Sequence, residues 1–268
     1  MNTQHSQKHH ARAQRGEIPS GFEQQFAHES DDHVMVLLRH HDAQIRTAAA
    51  TLLGARVCHA AIVPLCEGLS AETALYARIA MSEALVEIGE PAISALLARI
   101  GTIGHNRHQS LPTTLFKKWN YPLPRDLAVR TLVKLGPVVL PSLIAVLHTT
   151  SESHVISEVI DAIGFVTYYS GDCQAFEACQ QAWVTYAHHD VILWKCIRAF
   201  QAFPTEETVA VLREVLLTSA CPQHRWEAAR SLGQIRRHGA KQVLQTARND
   251  PHPLVSEMVR RSLQHIRP

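Results

Sequence analysis

The stretch "AAATLLG", Ala48–Gly54, decides the fold, because its pattern of small residues closing on a leucine returns along the chain. With Leu53 as anchor, equivalent positions are Leu85 in "AMSEALVEIG", Leu132 in "AVRTLVKLG", Ile163 in "VIDAIGFV", Phe200 in "CIRAFQAF", Leu232 in "AARSLGQI" and Leu263 in "VRRSLQHI". The intervals are 32, 47, 31, 37, 32 and 31 residues, a spacing expected of stacked helical repeats. Four residues before each anchor stand Ala49, Met81, Ala128, Val159, Cys196, Ala228 and Val259. Three residues after it stand Ile88, Leu135, Val166, Phe203, Ile235 and Ile266, with Arg56 alone breaking the row. Apolar positions spaced by three and four residues form one stripe of a helix.

Outward from each anchored helix lies a second apolar run, such as "AAIVPLCEGL", "PAISALLARI", "VVLPSLIAVL" and "TVAVLREVLL", reached through a glycine, proline or polar break. One helix pair cannot bury its own apolar face, so neighbouring pairs must stack. Asp42, Ser153 and Asp190 stand where they can cap helices. Arginine occupies the position seven before the anchor in four units, as Arg46, Arg78, Arg125 and Arg225. These residues resemble the HEAT family, in particular the short bacterial HEAT-like repeats also found in phycobilin lyases, where "VRxxAAxxLG" recurs. The resemblance covers Val34 to Ile266 and implies an all-α, right-handed α-α superhelix, a HEAT-like solenoid of about seven helix pairs. The glycine after the anchor survives only as Gly54, Gly164 and Gly233.

Composition agrees. Of 268 residues, 46% are hydrophobic and only 6% aromatic, so the core is aliphatic and suited to close helix packing. The six cysteines show no CxxC spacing and are read as reduced and mostly buried. The first residues lack the apolar core of a signal peptide, and no apolar run approaches the length of a spanning helix. The expectation is a cytoplasmic protein without membrane contact. Residues 1–30 read as a flexible polar tail and 31–268 as the repeat domain, interrupted by a loop at 101–124.

The formal charge of +2 hides blocks: −4 over residues 31–98, +6 over 99–134, −6 over 149–210 and +6 over 211–268. Opposite blocks allow self-association, while the small total argues against a general nucleic-acid binder. The 47-residue interval contains about 16 residues more than one unit, and the excess is "GHNRHQSLPTTLFKKWNYPLPRD", Gly104–Asp126. Insertions of this kind mark one face of a repeat array, often the binding face. Arg107, Lys117, Lys118 and Arg125 offer charge-assisted hydrogen bonds, and Trp119 and Tyr121 offer aromatic anchors. The competing reading is that Phe116, Trp119 and Tyr121 fold back to fill a gap between units, with Arg125 and Asp126 clamping and capping the next helix.

Eighteen histidines raise the question of metal or acid–base chemistry. The pairs His40–His41 and His188–His189 each precede an aspartate at a helix entry, so no metal site is assigned. HEAT-like deoxyhypusine hydroxylases carry repeated His-Glu pairs that hold two irons, whereas here only His28–Glu29 has that form. No "GxxxxGK" or "GxSxG" motif occurs, and no catalytic residue or cofactor is assigned. The function expected is a non-enzymatic protein–protein interaction scaffold or adaptor, with a protein partner and with the basic aromatic loop as recognition element. The alternative is an enzyme of a HEAT-like family, either DNA glycosylase-like or chromophore-lyase-like; Asp161 and Asp190 are the carboxylates weighed for it, and they read as an ordinary helix residue and a cap.

Overall fold

The computed structural model describes residues 10–104, 106–116, 118–237 and 239–266. Among the described residues every regular element is helical. The chain divides into two compact units, residues 1–104 and 105–268.

In the first unit, α1 (Asp31–Leu37) precedes two helix pairs, α2 (Ala43–Ala55) with α3 (Ile62–Ala71) and α4 (Leu75–Ile88) with α5 (Ile93–Leu97). The anchored helices α2 and α4 pack most closely. A Cβ at Gly54 would stand 2.7 Å from the Cα of Ala84, so glycine after the anchor marks the approach of successive helices. The first unit also corrects the expected boundary at residue 30. Thr47 donates to the Gly16 carbonyl (2.7 Å), Tyr76 N–H to the Arg15 carbonyl (2.9 Å), and Arg56 to the carbonyls of Ala27 (2.8 Å) and Glu29 (3.0 Å). Polar hydrogen bonds, which composition does not reveal, hold residues 15–29 to the repeats. They also explain why Arg56 breaks the apolar row. The first nine residues lie outside those described.

In the second unit, the pairs are α6 (Leu127–Leu132) with α7 (Leu140–Thr149), α8 (Ser153–Ser170) with α9 (Phe176–Thr185), α10 (Asp190–Phe200) with α11 (Glu206–Thr218), and α12 (Pro222–Ile235) with α13 (Ala240–Thr246), closed by α14 (Pro253–His265). The anchored helices α8, α10, α12 and α14 form a ladder. Leu132, Ile163, Phe200 and Leu232 are buried, while Leu263 in α14 is half-buried. The described residues thus contain six helix pairs, with α1 before the first pair and α14 after the last.

Leu127–Thr149 is apolar and long enough to be considered for a membrane, with mean hydropathy 1.7. It is not one straight helix: Gly136 (φ 76°, ψ −154°) followed by Pro137 separates α6 from α7. Asp42 caps α2 as expected, accepting from Gln44 N–H at 2.8 Å. The other two expected caps are displaced by one residue. Glu152 precedes α8 without a side-chain cap, leaving Ser153 as the first helical residue, and His189 rather than Asp190 occupies the cap of α10. Asp190 sits instead in the first turn, where its charge suits the positive end of the helix.

The arginine seven before the anchor acquires a role. Arg46 forms a two-pronged bond with Glu72 (2.6 and 2.9 Å) and reaches the carbonyls of His40 and His41. Arg225 does the same with Asp250 (2.9 and 3.1 Å) and the carbonyls of Ser219 and Ala220. Each arginine ties the loop before its own helix to an acid at the entry of the next unit. Burial alone would raise the Glu72 carboxyl, but the Arg46 bond and the amides of Ala74 and Thr73 outweigh it and hold the group below its usual range. Asp250 is lowered for the same reason by Arg225 and the His252 amide.

Candidate functional site

The insertion lies along the inner face of the second unit as an extended strap. Its lack of regular structure follows from sequence: Pro112, Pro122 and Pro124 remove backbone donors and disfavour helix in the residues before them. An extended chain without partners of its own must find them elsewhere, and here it finds them on the repeat helices. Arg230 of α12 donates to the carbonyls of Trp119 (2.9 Å) and Asn120 (3.0 Å), Gln234 to Trp119 (2.9 Å), and Tyr169 of α8 to Tyr121 (3.3 Å). At its end Asp126 caps α6, accepting from Val129 N–H at 3.0 Å, and Arg130 donates to the Pro124 carbonyl at 2.6 Å.

The strap's rings are seated on the same helices. Phe116 stacks on Trp194 (centroids 6.0 Å, 20° between planes) and meets Trp226 edge-on at 5.9 Å. The Arg198 guanidinium stands 4.6 Å from the Phe116 ring centre and 4.0 Å from that of Trp194. His108 meets Trp194 edge-on at 4.8 Å, and Trp119 lies flat on His265 (4.4 Å, 9°). Tyr121 packs edge-on to Phe165 and directs its hydroxyl at Asp161, 3.4 Å away. A Cβ on Gly164 would collide with the Tyr121 ring, so here the post-anchor glycine admits the strap as well as the neighbouring helix.

Beneath the strap lies a charge network sealed from solvent. Lys195 pairs with Asp161 (2.5 Å) and Glu158 (3.8 Å), Arg198 bridges Asp161 (3.6 Å) and Glu227 (3.4 Å), and Arg230 meets Glu227 (3.2 Å). The Trp194 indole N–H donates to Glu227 at 3.0 Å. Burial pushes Asp161 up, but Lys195 and Arg198 outweigh it and leave the carboxyl below its usual range. At Glu158 burial wins over Lys195 and raises the carboxyl. Burial, reinforced by Lys195 and Arg198, drives the His108 imidazole down to about 3, so it is neutral. Buried charges in such a network contribute little net stability, but removing one member leaves the others uncompensated.

The expected binding residues separate into two groups. Lys118 and Arg125 are exposed. Arg107 is instead half-buried and 3.5 Å from the Asp126 carboxylate, Trp119 is half-buried on His265, and Tyr121 is only 2% exposed. Tyr121 is therefore a core residue and not an open anchor: its ring packs against Phe165 and Tyr168 and its hydroxyl reaches the buried Asp161. Lys117 lies outside the described residues. Asp161 is corrected too, from an ordinary helix residue to the centre of the buried network.

The residues missed in the sequence share a register. Counting from the anchors, Asp161, Arg198, Arg230 and Arg261 are two before; Trp194 and Trp226 six before; Phe165, Gln234 and His265 two after. These offsets are four residues apart and define a second stripe, facing the strap, on the anchored helices α8, α10, α12 and α14 of the second unit. The repeated "WxxxR" at Trp194–Arg198 and Trp226–Arg230 was its visible signal.

Two of the open pockets are candidates for a site. One of about 820 Å³ in the first unit is lined partly by Arg39, Arg46, Glu67 and Glu72, whose charges pair with one another. The other, of about 460 Å³, opens between the strap and α8; its walls are Phe116, Tyr121, Pro122, Leu123, Phe165 and Tyr169, with Lys118, Asn120 and Arg230 as polar members. No group of three or more His, Cys, Asp or Glu able to hold a metal ion occurs among the described residues.

Residues 183–264 match the family model for HEAT repeats. No curated protein matches the chain. Among solved structures, an engineered protein is 18% identical with a TM-score of 0.40 over 88% of this chain and 96% of its own. A designed armadillo repeat protein is 13% identical with a TM-score of 0.38 over 89% and 100%. Human deoxyhypusine hydroxylase in complex with glycerol is 17% identical with a TM-score of 0.39 over 97% and 96%.

Proposed function

We propose that this chain, a HEAT-like repeat protein, is a non-enzymatic protein-interaction module whose strap presents the recognition surface. The observation that supports the reading is the pre-organised strap. Five side-chain hydrogen bonds to its carbonyls and four seated rings fix its backbone, so its outer edge is offered to a partner with little further loss of conformational freedom. That edge carries Lys118 and Arg125, both exposed, and Leu123, which is 50% exposed. The buried aspartate considered for an enzymatic alternative is only 1% exposed and already paired with Lys195 and Arg198, which favours a structural role for it.

The test is photo-crosslinking from residue 123 in the native host, with residue 184 on α9 as a control of similar exposure. Crosslinks to one protein from 123 and not from 184, lost in a folded Lys118→Glu, Arg125→Glu variant, are the expected result. Equal crosslinking from both positions, or capture unchanged by the charge reversal, overturns the reading.

A further inference from the structure

The pocket between the strap and α8 has a divided chemistry. Tyr169, 56% exposed, and Leu123 stand at its mouth, and Phe165, Tyr121, Phe116 and Pro122 line it. An aromatic side chain entering there finds ring faces and edges at the spacing that aromatic pairs favour. The charged members are of one sign. Lys118 is exposed, and Arg230, itself 1% exposed, belongs to the lining; its Nε is buried and finds no hydrogen-bond partner among the described residues. Its other guanidinium nitrogens are committed, Nη1 to Glu227 and Gln201 and Nη2 to the strap carbonyls. No carboxylate belongs to the lining. An unmet buried donor costs stability, and the group that meets it best is an anionic acceptor.

From this geometry we infer that the pocket takes a peptide segment of a protein partner in which an aromatic residue is followed directly by a carboxylate residue. The aromatic ring packs among Tyr169, Phe165 and Leu123. The carboxylate turns toward Arg230 and Lys118. A volume of about 460 Å³ is of the size that holds a small ligand or a short stretch of side chains, and the positive rim steers an acidic segment toward it. This inference rests on the strap being a recognition surface and adds the chemistry that it reads.

Titration calorimetry on the full chain tests it, with acetyl-Phe-Asp-Asp-amide as probe and acetyl-Phe-Asn-Asn-amide and acetyl-Ala-Asp-Asp-amide as comparisons. The acidic aromatic probe is expected to bind, each comparison roughly tenfold or more weakly, and binding to weaken with salt. Because Arg230 belongs to the buried network, the variants are Tyr169→Ala and Lys118→Ala, both at exposed positions; each is expected to weaken the probe several-fold. Equal affinity for the acidic and neutral aromatic peptides, affinity unaffected by Tyr169→Ala, or no binding of the probe overturns the inference. If the probe fails while residue 123 still crosslinks a partner through Lys118 and Arg125, the pocket chemistry falls and the module reading stands. If the probe binds but no partner crosslinks, the module reading falls by itself.

Discussion

The same helical register leads to opposite environments in the two units. Two residues before the anchor, the first unit carries Thr51, whose hydroxyl returns to its own helix at the Thr47 carbonyl, and Glu83, which is exposed. In the second unit Asp161, Arg198 and Arg230 at that position are each 1% exposed, Asp161 and Arg198 paired across neighbouring helices and Arg230 bound to Glu227 and the strap carbonyls, whereas Arg130 and Arg261, nearer the ends of the row, are half-buried. What differs is cover. The strap supplies rings and carbonyls to the second stripe of the second unit, and under that cover the charges lose water and must pair with one another. A polar stripe thus becomes a core or a surface according to what lies across it.

The comparison breaks most visibly at this shared register. Arg198→Ala leaves Asp161 and Glu227 short of a partner and is expected to lower stability by about 3–5 kcal/mol, whereas Glu83→Ala stays within about 0.5 kcal/mol. All four tryptophans, at 119, 183, 194 and 226, lie in the second unit. Urea unfolding followed by tryptophan emission therefore reads that unit, and far-ultraviolet circular dichroism reads both. If the two variants lose stability equally, burial beneath the strap is not what separates them.

A second experiment asks where the units should agree. The clamps Arg46–Glu72 and Arg225–Asp250 have matching geometry and little exposure, so Arg46→Ala and Arg225→Ala should each cost about 2 kcal/mol. Because both carboxyls are lowered in the folded chain, their contribution is present above the ordinary carboxylate range and is lost as the pH falls through their folded values. Urea midpoints from pH 6 down to pH 3 should show a shallower decline in each variant than in the parent; a decline of unchanged steepness would remove the clamps from the account.

His108 sharpens the contrast further. Its imidazole is held at about 3 by burial and the neighbouring cations, against about 6.5 when unfolded. Between these values the unfolded chain takes up a proton that the folded one refuses, so the second unit weakens as the pH falls from about 6.5 toward the folded value. His108→Phe should flatten that slope in the tryptophan signal, and a His108 resonance titrating near pH 6 would contradict its burial. The smallest effect is expected at Lys118→Ala, within about 0.5 kcal/mol, which makes that variant suitable for binding experiments.

The repeat was legible because packing demands it. The anchor row and the glycines at 54, 164 and 233 follow from close helix approach, a local and recurring requirement that leaves a periodic trace. The strap was legible as an interruption, and its exposed cations Lys118 and Arg125 as surface residues. The inward turn of Tyr121 was not, because aromatic residues suit an interface and a core equally well. Nor was the buried network: Glu158, Asp161, Lys195 and Arg198 look like solvated charges until a distant segment covers them, and only the repeated "WxxxR" hinted otherwise. The outward-facing charge of the −6 block is nonetheless preserved, since the two cations it contains, Lys195 and Arg198, are buried with two of its acids.

The sequence by itself determined the helices, their pairing and the face each turns to its neighbour, since these depend on residues three and four apart. Only the tertiary structure decided which polar stripe is core, which ring is an anchor and where a pocket opens. Those properties arise where residues more than a hundred positions apart, such as Trp119 and Arg230, meet, and no local spacing encodes that meeting.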